Sequence, residues 1–213
     1  MMNGKKEVAI IVAHPDDETL WAGGIILCNP SWDCFIVSLC RGKDQDRSVK
    51  FHNALKKLNS QGIMGDLDDE PEQKPLEENK IQNQIRELLP EKHFDLIITH
   101  SPSGEYTRHL RHEETGKAII TLWHAGEIHT NKLLAFAYED GGKQYRPRAI
   151  ETASIYQFLP PMIWRKKYQI ITETYGFKPD SFEAESVPKA ESFWLFVNPN
   201  QAWEWLNKGN ISV

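Results

Sequence analysis

The chain has 213 residues, of which 40% are hydrophobic and 26% charged, and its formal net charge at pH 7 is -5. This length predicts one domain, residues 1–213, and the composition excludes a disordered or collagen-like chain. The modest negative charge is spread along the sequence, which excludes a general electrostatic affinity for nucleic acid or an anionic membrane. Apolar runs fall well short of the roughly 18 residues of a membrane-spanning helix, so we expect no membrane insertion.

The first apolar run, Val8–Ala13, follows a short basic stretch and leads into charged residues. A secretory signal peptide ends in a small-residue cleavage site, so this pattern favours a first strand. The three cysteines, Cys28, Cys34 and Cys40, lie in or beside apolar stretches without a CxxC spacing. These features predict reduced, buried thiols and a cytoplasmic location.

Short apolar runs alternate along the chain with segments of helical spacing. The runs are nearly continuous, which is typical of strands covered on both faces, and comprise Val8–Ala13, Cys34–Cys40, Phe94–Thr99, Leu133–Ala137 and Phe193–Val197. The predicted helices between them are Thr19–Leu27, Ser48–Leu58, Glu78–Leu89 and Glu113–Trp123. This order predicts an α/β fold with a mainly parallel sheet, in which ligands bind beyond the carboxyl ends of the strands.

Two stretches rich in charged residues, proline or glycine, Gly65–Asn79 and Asp140–Pro147, are predicted as long loops that can act as lids. A further helix is predicted over Met162–Thr174. The segment Tyr156–Pro161 before it has no predicted place in the sheet.

Two clusters of polar residues follow predicted strands. His14–Glu18, with the sequence HPDDE, comes directly after the first strand, and Gly104–His112, with the sequence GEYTRHLRH, follows the strand that ends at Thr99. An isolated Asp-Asp pair is more often a turn or a helix cap. If neighbouring strands carry both clusters, however, His14, Asp17 and His112 converge, and a catalytic zinc ion typically has three such ligands.

The remaining polar residues of the two clusters are candidates for proton transfer. Asp16 is adjacent to Asp17 but points elsewhere in a turn, so it is free to accept a proton from a water that zinc activates. His109 precedes His112 by three residues and can face the same cavity if the segment is helical. We expect it to stabilise an oxyanion or to protonate a leaving amine.

Together the two clusters resemble the motifs of the PIG-L/LmbE-like family of zinc-dependent N-acetylglucosaminyl deacetylases, over roughly the first two thirds of the chain. The resemblance implies a Rossmann-like three-layer fold, a zinc ion held by His14, Asp17 and His112, Asp16 as general base and His109 as second catalytic group. The implied partner is a small-molecule N-acetylated amino sugar or glycoconjugate. One departure is that many members have His-Pro-Asp-His where this chain has His109-Leu110-Arg111-His112.

Three residues near these motifs are candidates for substrate binding. Arg41 follows a predicted strand, and an exposed salt bridge is an equally good interpretation for it. Tyr106 and Arg108 flank the histidine pair, where they can contact a polyol or an anionic group of the substrate.

Two other functions are compatible with the motifs. A phosphoesterase would use the paired aspartates for Mg²⁺ or Mn²⁺, but two histidine ligands favour zinc. A non-catalytic, metal-bearing binding module would have four protein ligands and no adjacent base, whereas the motifs here supply Asp16 and His109 as catalytic groups in addition to three ligands. The acetylated sugar and the oligomeric state are not predicted by the sequence.

Overall fold

The structure is a computed structural model that describes residues 4–72 and 74–208. The ends of the predicted domain and residue 73 of the first predicted loop lie outside the described residues. The strands are β1 (Glu7–Val12), β2 (Asp33–Cys40), β3 (Gln61–Leu67), β4 (His93–Phe94), β5 (Leu96–Thr99), β6 (His129–Thr130), β7 (Leu133–Phe136), β8 (Tyr138–Glu139), β9 (Arg148–Ala149), β10 (Ile155–Phe158) and β11 (Ala190–Phe196).

The helices lie between the strands. They are α1 (Asp17–Cys28), α2 (Gln45–Lys57), α3 (Glu78–Leu88), α4 (Leu110–His124), α5 (Pro161–Gln169), α6 (Phe182–Glu185) and α7 (Pro199–Asn207). A π-helical turn, Ile170–Thr174, directly continues α5. Within the described residues no helix combines the length and the apolar composition that crossing a membrane requires.

The main sheet has seven strands in the order β10-β11-β7-β5-β1-β2-β3. The strands from β7 to β3 are parallel, whereas β11 is antiparallel to both of its neighbours. The predicted Rossmann-like α/β fold with a mainly parallel sheet is therefore confirmed.

Two hydrophobic cores cover opposite faces of the sheet. Val8 and Ile10 of β1 belong to the core that includes α1 and α2, and Ala9 and Ile11 belong to the core that includes α3, α4 and α7. These four side chains are all 0% exposed. Burial on both faces explains why the strands appear in the sequence as continuous apolar runs.

Three details differ from the prediction. The first long loop is shorter than Gly65–Asn79, because its first residues belong to β3, a strand that the sequence analysis missed for want of a continuous apolar run. The predicted helix over Met162–Thr174 changes from α-helical to π-helical geometry after Gln169. Most of the unplaced segment Tyr156–Pro161 contributes to β10, at one edge of the sheet.

A buried ion pair attaches the C-terminal part of the chain to α1. Glu191 of β11 accepts hydrogen bonds from the backbone N–H groups of Gly24 and Ile25, at 2.7 Å each, and it also pairs with Lys167 of α5. A Cβ atom at Gly24 would lie 2.4 Å from Leu159 and 2.8 Å from the Glu191 carboxyl group. A larger side chain at this position would have to displace the ends of the Leu159 and Glu191 side chains.

Candidate metal centre and active site

The two polar clusters meet at the centre of the sheet. β1 and β5 are neighbours at the centre of the sheet. The next strand beyond β1 is β2, and the next strand beyond β5, on the opposite side, is β7. The loops that leave these two strands diverge and create a crevice, where ligands bind in folds of this kind. His14 follows β1, and His112 lies in the first turn of α4, after the loop that follows β5.

The three predicted metal ligands are brought together in this crevice. His14 Nδ1 lies 3.1 Å from Asp17 Oδ2 and 3.1 Å from His112 Nε2. The third side of the triangle, from His112 Nε2 to Asp17 Oδ2, is 3.3 Å. The indole Nε1 of Trp21 donates to the other Asp17 oxygen at 3.0 Å, which fixes the orientation of that carboxylate.

Each of the two ligand histidines has a carboxylate next to the ring nitrogen that points away from the triangle. Asp69 Oδ1 lies 3.1 Å from His14 Nε2, and Glu105 Oε2 lies 2.6 Å from His112 Nδ1. A carboxylate that accepts a hydrogen bond from the outer N–H keeps the proton on that nitrogen and leaves the inner nitrogen with a lone pair, as in many zinc sites. Burial opposes ionisation of Asp69, but His14 and Arg41 outweigh it and lower the pKa of Asp69 to about 2.

The triangle fits a cation. When both imidazoles are neutral, two lone pairs and a carboxylate oxygen face one another, and a positive charge between them, from a metal ion or a proton, removes the repulsion. Burial would raise the pKa of Asp17, yet His112 and His100 outweigh it and hold that pKa well below its usual range. A tetrahedral zinc ion with bonds of about 2.0–2.2 Å separates its ligands by roughly 3.3–3.6 Å, close to the observed sides.

Two further histidines border the triangle. His100 and His109 each belong to a group of three side chains whose ligating atoms lie within 4.8 Å of one another. His100 is already occupied, because its Nε2 accepts the Ala13 N–H at 3.0 Å and its Nδ1 lies 2.8 Å from Glu105. These contacts give His100 a hydrogen-bonded structural role at the border of the triangle.

His109 packs against the ligand histidines. Its ring stacks on His112 with a centroid distance of 4.4 Å and meets the edge of His14 at 4.5 Å. Burial and the two neighbouring imidazoles lower the pKa of His109 to about 3. In this environment His109 is a neutral hydrogen-bonding group at the wall of the crevice, beside the triangle rather than part of it.

Asp16, the predicted general base, has an unusual backbone conformation with a φ of 132°. Such a conformation costs about 1–3 kcal/mol in a residue other than glycine and often occurs at functional sites. Burial and the neighbouring Asp17 carboxylate raise the pKa of Asp16 well above its usual value, and Arg47 opposes them. The Arg47 guanidinium lies 3.4 Å from Asp16 Oδ2.

A pocket of about 190 Å³ opens over these groups. Its lining comprises His14, Pro15, Asp16, Asp17, Leu20, Arg41, Arg47, Asp69, Tyr106, His109, Phe182 and Glu183. Two of the three predicted substrate-binding residues, Arg41 and Tyr106, are therefore at the pocket. Arg41 also pairs with Asp69 at 2.8 Å.

Arg108 is not among the lining residues. Its side chain is 69% exposed and forms two bonds with Glu113, at 2.9 and 2.6 Å. Arg108 therefore does not line this pocket, and its contact with a substrate stays a prediction.

Comparison with known families agrees with this geometry. The sequence profile of PIG-L, described as GlcNAc-PI de-N-acetylase, matches residues 9–123, more than half of the chain. The chain belongs to the PIG-L family. The matched range includes both polar clusters and the strands that carry them.

An uncharacterized protein of Acanthamoeba polyphaga mimivirus is 25% identical over 182 residues, which cover 78% of this PIG-L chain and 77% of the viral protein. Among solved structures, N,N'-diacetylchitobiose deacetylase from Pyrococcus horikoshii superposes with a TM-score of 0.65 at 15% identity, covering 90% of this chain and 84% of that one. The hydratase GalB from Pseudomonas putida gives 0.61 at 15% identity, with coverages of 91% and 97%. At these identities the structural likeness concerns the fold.

Several residues of this PIG-L site were missed in the sequence analysis. Glu105 lies within the second motif, and its proximity to two histidines in sequence is a signal that was available. Asp69 lies in an acidic loop where nothing distinguishes it from its neighbours. Phe182 and Glu183 come from α6, far along the chain from both motifs, and only the folded structure brings them to the pocket.

Proposed function

We propose that this protein is a zinc-dependent hydrolase that removes the acetyl group from an N-acetylated amino sugar or a related glycoconjugate. The observation that carries the proposal is the triangle of His14, Asp17 and His112, backed by two carboxylates and facing a pocket with Asp16 at its wall. Membership of the PIG-L family supports it, as do two fold relatives that are named N,N'-diacetylchitobiose deacetylase and A40926 pseudoaglycone deacetylase.

In the proposed reaction, water adds to the acetyl carbonyl carbon, the carbon–nitrogen bond breaks, and acetate and a free amine leave. Asp16 accepts the proton of the attacking water. His109, a neutral imidazole in this environment, donates a hydrogen bond to the developing oxyanion, and the proton that Asp16 has accepted passes to the amine nitrogen. His14, Asp17 and His112 would hold the zinc ion, which would supply Lewis-acid activation of water and polarisation of the carbonyl group.

We propose that the substrate contacts both the region matched by the PIG-L profile and the region that follows it. Arg41 and Tyr106 line the pocket from the PIG-L region, and Phe182 and Glu183 line it from α6. An aromatic face beside a carboxylate and a guanidinium suits a sugar ring, which presents C–H groups on its faces and hydroxyls at its rim. We keep the cytoplasmic location as part of the proposal, supported by the free thiols of Cys28, Cys34 and Cys40.

The test combines metal analysis with an acetate-release assay. Protein purified without chelators is expected to contain about one zinc per chain and to release acetate from N-acetylglucosamine conjugates, and a chelator should abolish the release until zinc is added back. The Asp16→Asn variant serves as control, since it should keep zinc and lose turnover. Zinc-loaded protein that releases no acetate from any acetylated sugar would refute the proposed reaction.

The fold relative GalB supplies a second candidate reaction. GalB is named as the 4-carboxy-2-hydroxymuconate hydratase, and its structure superposes on 91% of the length of this chain. A parallel assay with that tricarboxylate separates the two activities, because hydration consumes a carbon–carbon double bond and releases no acetate. Hydration without deacetylation would replace the deacetylase proposal.

A further inference from the structure

A buried chain of hydrogen bonds connects the C-terminal part of the protein to the backbone of Asp16. The Tyr175 hydroxyl donates to Glu18 Oε1 at 2.8 Å, and the Asp16 N–H donates to Glu18 Oε2 at 2.9 Å. Tyr175 is 1% exposed and Glu18 is 0% exposed, so water does not compete for these bonds. The two oxygens of one carboxylate therefore join Tyr175 to Asp16.

Tyr175 reaches Glu18 from the end of the π-helical turn. The Tyr175 N–H closes this turn by donating to the Ile170 carbonyl at 2.9 Å. Ile170, Ile171 and Tyr175 all pack in the same core as α1. π-Helical turns are rare and are frequently found at functional sites, and here the wider turn is followed by the tyrosine that contacts the first motif.

The bond to Glu18 is one of the contacts that fix the peptide groups around Asp16. The Asp16 carbonyl accepts the N–H groups of Thr19 at 3.0 Å and Leu20 at 2.8 Å, while its own N–H is held by Glu18. These hydrogen bonds hold both the N–H and the carbonyl group of Asp16, whose φ is 132°. The direction of the Asp16 side chain follows from this backbone conformation.

We infer that Tyr175 is a positioning residue that, through Glu18, holds Asp16 in the orientation needed to accept a proton in the pocket. The inference rests on the proposed function for the role of Asp16. It extends the active site to a residue outside the range matched by the PIG-L profile, residues 9–123. Tyr175 touches neither the substrate pocket nor the three metal ligands in this account.

The kinetic test compares two tyrosines that each donate a buried hydroxyl to α1 or its preceding turn. Tyr175→Phe is expected to lower kcat about tenfold, with KM within about twofold and zinc content unchanged, because a misplaced base is a poorer base. Tyr138→Phe is the control, since the Tyr138 hydroxyl donates to the Trp21 carbonyl at 3.1 Å and makes no contact with Glu18. Tyr138→Phe should keep the native kcat even if it lowers the free energy of unfolding as much as Tyr175→Phe does.

A double-mutant cycle separates positioning from a general structural effect. If Tyr175 acts through Asp16, Tyr175→Phe should lower kcat in the native background and leave the residual rate of Asp16→Asn unchanged. Equal losses in both backgrounds would overturn the inference. An equal fall in kcat for Tyr138→Phe would overturn it as well.

Amide hydrogen exchange provides a readout that needs no turnover. Tyr175→Phe, and as a second variant Glu18→Gln, should accelerate exchange of the Asp16 amide at least tenfold relative to Tyr138→Phe, because the bond that protects that amide is weakened. Unchanged protection in both variants would refute the positioning role. If no acetylated sugar is hydrolysed, the proposed function fails, and the exchange result still decides whether Tyr175 orders Asp16.

Discussion

The region matched by the PIG-L profile and the region that follows it contribute different groups to the same pocket. Residues 9–123 contain the proposed ligands, Asp16 and His109, all in the loops after β1 and β5 or in the first turns of α1 and α4. The later region contributes Phe182 and Glu183 to the pocket wall and Tyr175 behind Asp16. From this comparison we propose that the first region supplies the metal ligands and the reacting groups, whereas the second completes the pocket wall and positions Asp16.

The largest effect should come from removing a ligand in the first region. Asp17→Asn replaces a carboxylate with a neutral amide, a poorer zinc ligand, and His112→Ala removes an imidazole. Both variants should lose zinc during dialysis and retain less than about one thousandth of native turnover. Zinc content by atomic emission, measured beside acetate release, checks the prediction, and full zinc retention by either variant would contradict the ligand assignment.

The next effect separates catalysis from metal binding within the same region. Asp16→Asn should keep zinc and lower kcat by about 10²–10⁴-fold, the usual contribution of a general base. His109→Ala should also keep zinc while losing turnover, because His109 stands beside the ligand triangle. Loss of zinc from His109→Ala would instead make it a ligand, in the alternative group that it forms with His14 and His112.

A smaller effect is expected from the carboxylate behind His14. Asp69→Asn should weaken zinc binding about 10–100-fold, since the outer partner fixes the tautomer and orientation of the ring. Competition with a chromophoric chelator measures the affinity. Asp66→Asn is the matched control, because Asp66 pairs with the exposed Lys43 at 2.8 Å. Equal affinities for the two variants would show that Asp69 does not support the metal.

In the second region, the buried pair of Lys167 and Glu191 should affect stability rather than chemistry. Lys167→Met leaves the Glu191 carboxylate buried without its partner, which typically costs about 3–5 kcal/mol. Urea denaturation should show this loss, whereas zinc bound per folded chain should stay at the native level. A variant that stays folded but loses zinc would contradict the division of roles between the two regions.

The smallest expected effect concerns the pocket wall. Glu183→Gln should raise KM about two- to fivefold for an acetylated sugar with little change in kcat, because a neutral amide is a weaker acceptor for hydroxyl groups. Glu185→Gln on the same short helix is the control, since Glu185 pairs with Arg146 at 2.6 Å and does not line the pocket. Steady-state kinetics of both variants would sharpen the contribution of α6 to substrate binding.

The difference between the two regions also explains which residues of the candidate site could be predicted from the sequence. The convergence of His14, Asp17 and His112 could be predicted because they follow buried strands, and parallel strands bring their carboxyl ends to one edge. Asp69 and Arg108 show the limit of this reasoning, since the direction of a loop side chain depends on its partner in space. Tyr175 and Glu183 carried no local signal, because a π-helical turn and a short helix bring them to the site through tertiary packing.

The most direct test of the central claim is a crystal structure of zinc-loaded protein with anomalous data collected at the zinc edge. We expect one strong peak within about 2.0–2.2 Å of His14 Nδ1, Asp17 Oδ2 and His112 Nε2, with Asp16 and His109 outside bonding distance. A peak bonded instead to His100, to His109 or to Cys40 and Asp69, or no ordered zinc in this crevice, would contradict it.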